Sequence, residues 1–206
     1  MWERIFKTLA APGETLHQVA EKNLWKEGLL LVLVIAILKG ATQTAAVGNE
    51  EALIYLERYF GPSSVDSFSS FMYSPTYMII SSLFSELLGW VVLGAVFFLF
   101  AKLFKGHGSM SGMLAGLGYA SCPYFLGVPL AALTSLAGNA GSIISGIISF
   151  AAAIWVLVLS IIAIRESQQI GTGAAVAVYF IPVVVLGIVF LLLIGFLIAA
   201  LFLMAP

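Results

Sequence analysis

The stretch Gly112–Ala137, GMLAGLGYASCPYFLGVPLAALTSLA, decides the fold. Its 26 residues carry no charge, and about 20 apolar residues are enough for a helix to cross a bilayer. A transmembrane helix is therefore expected here, though not a straight one. Pro123 has no amide hydrogen to offer the carbonyl of Tyr119, and its ring presses on that carbonyl; Pro129 repeats the problem at Phe125. Carbonyls freed in hydrocarbon need new partners. The break is expected inside protein, with the Tyr119 and Ser121 hydroxyls close by.

The rest of the chain agrees with that reading. Of 206 residues, 61% are hydrophobic and 9% charged, against roughly 25% charged in soluble domains. This composition specifies an all-α, polytopic membrane protein. A net charge of -1 offers no electrostatic footprint for nucleic acid. Cys122 is the single cysteine, which excludes an internal disulfide framework and a cysteine-rich metal site. Gly28–Leu38 resembles a signal-peptide core, but a long segment with four acids precedes it and Lys39 interrupts it, so cleavage is not expected.

On the N-terminal side of the central stretch, residues 1–27 form an interfacial segment of two amphipathic helices. Trp2, Ile5, Phe6 and Leu9 share one helical face; after Ala11-Pro12-Gly13, Leu16, Val19, Ala20 and Leu24 share another. Arg4, Lys7, Lys22 and Lys26 fall off those faces, as suits helices lying at a headgroup surface. Residues 28–206 form the membrane domain. Its first span, Gly28 to about Val47, carries Lys39, Thr42 and Gln43 on one face. Gly48–Pro75 is a long loop, with a short helix capped by Asn49, faced by Ala52, Tyr55, Leu56 and Tyr59, and stopped at Gly61-Pro62. Its remainder is serine-rich, with Phe68, Phe71, Tyr73 and Tyr77 suited to the membrane boundary. The second span, Thr76–Ala101, aligns Ser82, Ser85, Glu86 and Gly89.

Beyond the central stretch, Gly138–Gly141 is a tight connection, so the third and fourth spans make a hairpin. The fourth, Ser142–Ile164, begins with Ser142 and Gly146, then Ser145 and Ser149, each four apart. With Gly112 and Gly116 they predict close backbone packing. The fifth, Ala174–Met204, would be about 46 Å long as one helix, so it must tilt, protrude or bend at Pro182. The expectation is five spans. Basic residues then fall as Arg4, Lys7, Lys22, Lys26, Lys102, Lys105 and Arg165 on one side and Arg58 on the other. The positive-inside rule sets the N-terminus cytoplasmic and the C-terminus outside.

The order of these spans, the run Gly118-Tyr119-Ala120-Ser121-Cys122-Pro123-Tyr124, Trp155, and the polar turn Arg165–Gly171 together resemble the Yip family. That is the membrane domain of Ypt/Rab-interacting proteins, including its prokaryotic members. The resemblance extends from about Ala11 onward and implies the five-span fold. In eukaryotes it implies vesicle trafficking through a cytosolic region that meets Rab-type GTPases. Only residues 1–27 precede the first span here, so the fold is expected without the GTPase partner, in a prokaryotic cell membrane. The expected function is non-enzymatic organisation or adaptation of membrane components through helix contacts. The expected partners are the lipid bilayer and a membrane protein or second copy.

An alternative is a small transporter or ion pathway built on Lys39, Glu86 and the kinked third span. At about 1.5 Å per residue Lys39 lies about 12 Å and Glu86 about 15 Å from the same membrane face, so they are expected to pair. Thr42, Gln43, Ser82 and Ser85 would surround that pair. The broken-helix motif, Gly118, Tyr119, Ser121, Cys122, Pro123, Tyr124 and Pro129, reads either as a packing kink or as the lining of a polar path. No catalytic residue, metal site or cofactor is expected. Ser121 has no base within reach, His17 and His107 lie on separate elements, and Gly106–Gly112 lacks a phosphate-loop lysine.

Overall fold

The structure is a computed structural model that describes residues 1–43, 61, 69–72 and 74–204. These form α1 (Trp2–Ala10), α2 (Pro12–Glu21), α3 (Trp25–Gln43), α4 (Pro75–Leu103), α5 (Met110–Ala120), α6 (Pro123–Ser135), α7 (Gly138–Gln168) and α8 (Thr172–Met204), with no strand among the described residues. The helix expected around Asn49 to Tyr59 lies outside them, as do Pro62, Phe68 and Tyr73. Local chemistry explains several starts. Proline opens α2, α4 and α6, where its missing amide hydrogen costs nothing. Ser74 and Ser109 cap α4 and α5, their hydroxyls accepting from the Tyr77 and Gly112 amides at 3.3 and 3.0 Å.

Four segments are long and apolar enough to cross a membrane: α4, α5 with α6, α7, and α8 over Thr172–Phe196. The α3 helix is shorter and carries Lys26, Glu27 and Lys39, so it is not among them. The chain is all-α and polytopic. A fifth crossing rests on α3 and is taken up below. The α4 and α7 helices span about 43 and 46 Å at about 1.5 Å per residue, more than the ~30 Å hydrocarbon core. At the basal end α4 and α7 finish and α5 and α8 begin. There the His107 amide donates to Gln168 O at 3.0 Å, and Lys102 Nζ donates to Gly106 O and Gly108 O at 3.0 and 2.9 Å.

The third span is two helices, not one kinked rod. Pro123 sits at the first position of α6, where it starts a helix more readily than it bends one. The turn satisfies itself: the Cys122 amide donates to Tyr119 O and the Phe125 amide to Cys122 O, both at 3.0 Å, while Ser121 Oγ donates to Leu117 O at 3.2 Å. Pro129 makes no second break. It lies inside α6, which runs on to Ser135, and α8 likewise runs through Pro182. Each removes one donor, and membrane helices tolerate that.

The third and fourth spans do pack closely, through residues other than the expected Ser142 and Gly146: a Cβ on Gly141 would lie 2.0 Å from Thr134 O, and one on Gly127 2.8 Å from Ala152 Cβ. Ser142 and Gly146 face outward, and a side chain added at Gly146 would meet nothing within 4 Å. The α3–α5 crossing is also close. A Cβ on Gly118 would lie 2.5 Å from Gly28 Cα and 2.7 Å from its carbonyl, so the two backbones touch. The hairpin turn is also one step earlier than expected, because α7 already begins at Gly138 in the left-handed region (φ 69°).

The N-terminal helices do not give their apolar faces to lipid throughout. Leu16 and Val19 of α2 are fully buried with Ala115 and Ala163, and Ala20 lies against Gly112. The basal parts of α5 and α7 supply an apolar wall, and α2 covers it. The α1 helix buries Ile5 but leaves Trp2 57% and Phe6 63% exposed.

Candidate functional site

Two polar clusters flank the break between α5 and α6, one tied to each tyrosine beside it. The basal cluster joins α1, α3 and α5. Arg4 Nη2 donates to both Glu27 oxygens at 2.7 and 2.9 Å, and Arg4 Nε donates to Tyr119 Oη at 3.4 Å. The Tyr119 hydroxyl donates to Glu27 Oε2. Tyr119 is wholly buried, so its hydroxyl has no water to turn to. Burial pushes the Glu27 carboxyl up, but the bonds from Tyr119 and Arg4 outweigh it and hold the group below the ordinary carboxylate range. The Arg4 guanidinium is raised by its bonds to Tyr119 and then Glu27. Sequence reading placed Arg4 at the headgroup surface and missed this cluster. The signal was a tyrosine hydroxyl in an uncharged stretch, which needs a polar partner from another element.

The second cluster joins α3, α4 and α6 at membrane depth. Lys39 Nζ pairs with Glu86 Oε1, the two side chains 25% and 30% exposed. Nζ also stands 4.4 Å from the centroid of the Tyr124 ring. The hydroxyls do not gather around this pair. Thr42 Oγ1 donates to Leu38 O and Lys39 O, Ser82 Oγ to Ala36 O at 2.8 Å, and Ser85 Oγ to Ser82 O. In an apolar helix the nearest acceptors for serine and threonine are carbonyls three or four residues back, and these win. Ser82 departs from that rule, tying α4 to α3. The side chain of Gln43 lies outside the description.

Of the remaining motif residues, Gly118 makes the crossing with Gly28, and Cys122 is buried with Sγ 4.0 Å from Ile5 O. Ser121 is half-buried and lines a cavity shared with Glu86. His17 Nδ1 lies 3.3 Å from Glu166 Oε2 at the basal end, far in sequence from His107. The arrangement can hold charge at membrane depth and fasten α1 to the bundle.

A family model for the Yip1 domain matches residues 6–204. No curated protein and no solved structure matches the chain.

Proposed function

The chain belongs to the Yip1 domain family, and from that membership we propose that it is a non-enzymatic organiser of membrane components, which uses its N-terminal helices to meet a membrane partner or a second copy. In this reading α3 is a fifth crossing beginning at Gly28, the protein resides in a cell membrane, and the N-terminus is cytoplasmic. The observation that carries the reading is the state of α1. It is pinned to the bundle through Arg4, Glu27 and Tyr119, with Trp2 edge-on to the Phe125 ring at 5.7 Å, yet it leaves most of Phe6 and the outer part of Trp2 exposed. An anchored helix that displays aromatic side chains is preorganised for contact, so little ordering is lost on association.

Proximity labelling from an enzyme fused at Met1 tests this in the native membrane. The wild-type chain is expected to mark a reproducible set of neighbours, and Trp2→Ala/Phe6→Ala to lose that set while the protein remains in the membrane. An unchanged set would end the proposal. Sidedness is checked separately: reporters fused at Met1 and after Phe104 are expected on the same face, because α3 and α4 both cross between them, and opposite faces would remove the fifth crossing.

A further inference from the structure

We propose that Glu86 binds a small monovalent cation on a path through the bundle, and that Lys39 is a tethered cation occupying the site at rest. This goes beyond the organising role and does not depend on it. A cavity of about 360 Å³ opens among α3, α4, α5, α7 and α8. It follows α4 from Ser85 to Phe97, about 18 Å at about 1.5 Å per residue, starting above the basal end. Glu86 is the one charged residue in its lining, joined by the hydroxyl-bearing Ser121, Ser160 and Tyr179. A second pocket of about 260 Å³, more open to the surface, lies toward the α6–α7 hairpin. Lys39 is the one charge in that lining, and Ser135, Ser145 and Ser149 line it further out. The two cavities thus cover successive depths. Glu86 belongs to one, Lys39 to the other, and their ion pair closes the junction.

The chemistry at the junction selects a cation. A carboxylate at bilayer depth needs a positive partner, and the described bonds of the Glu86 carboxylate go to Lys39 alone. Lys39 has a second support, because the Tyr124 ring lies 4.4 Å from Nζ. The ammonium can swing off Glu86 toward that ring and the hairpin-side cavity while an incoming cation takes its place at Oε1. No covalent bond changes. The loaded state holds one extra positive charge, spread over the ring and the hydroxyls, which suits passage more than storage. A divalent ion fits poorly, since it requires several oxygen ligands and the lining offers one carboxylate. The titratable groups facing this region are Lys39 from α3, Tyr124 from α6 and Tyr179 from α8.

The test uses the purified full chain in proteoliposomes, with proton, sodium and potassium fluxes driven one at a time. The wild-type chain is expected to pass at least one of the three. Lys39→Met should raise that flux, because the resident cation is gone, and Glu86→Gln should reduce it to the level of protein-free vesicles. The double variant Lys39→Met/Glu86→Gln strands no charge and should stay folded without flux. If Lys39→Met fails to fold, Tyr124→Leu decides: it removes the alternative support and should lower flux with an unchanged melting temperature. Ser160→Leu, in the basal cavity, should do the same. Absence of flux for all three ions in the wild-type chain, or flux that survives Glu86→Gln, overturns the proposal. Neither result would alter the neighbour set that tests the organising role.

Discussion

The two clusters beside the break use the same three chemistries and arrive at different attachments. Each joins a cation, a glutamate and a tyrosine, and each takes one charge from α3, Glu27 near its start and Lys39 further along. In the basal cluster the cation is arginine, whose planar fork grips both carboxylate oxygens while Tyr119 adds a third bond. In the membrane cluster it is lysine, a compact charge on a flexible stem, touching one oxygen and resting on the Tyr124 ring. The first geometry is over-determined and fixes α1 in place. The second can be exchanged. Residue type, more than depth, separates a fastener from a movable contact.

The comparison is broken most severely by separating α3 from α5, since α3 carries a charge of each cluster and the basal one bridges that crossing directly. Gly118→Val would force the Gly28 backbone away, and overpacking of this kind costs about 3 kcal/mol or more. Loss of cooperative melting in detergent would register it; an unchanged melting curve would show that the crossing yields. Next, Glu27→Ala strands Arg4 and the buried Tyr119 hydroxyl together. A third of Arg4 remains exposed, so the loss should be about 2 kcal/mol, below the 3–5 typical of fully buried pairs. Hydrogen exchange should then rise across Trp2–Ala10 and stay unchanged across α8.

Lys39→Met and Glu86→Leu should each cost about 1–2 kcal/mol, with the double variant recovering most of it, because two apolar residues replace a pair at little cost. Strictly additive losses would show that Lys39 and Glu86 do not act as a pair. The smallest effect is on pH. Glu27 is held below its ordinary value of 4.5. The stability it contributes is complete above that value and is lost as pH falls through the lower folded value. Acid should therefore loosen α1, read from Trp2 fluorescence, and Glu27→Gln should abolish that acid step.

How much was legible in the sequence depended on whether a residue's partner lay at a computable distance. Lys39 and Glu86 are lone charges in apolar runs, and rise per residue alone sets them at one level. The break was legible because Pro123 cannot continue the hydrogen-bond ladder. Pro129 misled because the same local rule ignores what a surrounding bundle will tolerate. The small residues pointed to the right pair of spans through the wrong positions: Ser142 and Gly146 face outward, while Gly141 and Gly127 make the close approach, since a four-residue spacing says nothing about what approaches. Arg4 with Tyr119 was out of reach. That contact joins residues 115 apart in sequence, and it forms only because α1 folds back along α5.

The pairing of Lys39 with Glu86 also bears on the order of assembly. In the proposed reading of α3 as a fifth crossing, α3 is synthesised before its counterion, and Lys39 alone is a burden of roughly 2.5–3.5 kcal/mol for a helix entering lipid. Insertion of α3 together with α4 removes that burden, so in this reading Glu86 contributes to placing α3 as well as to holding it.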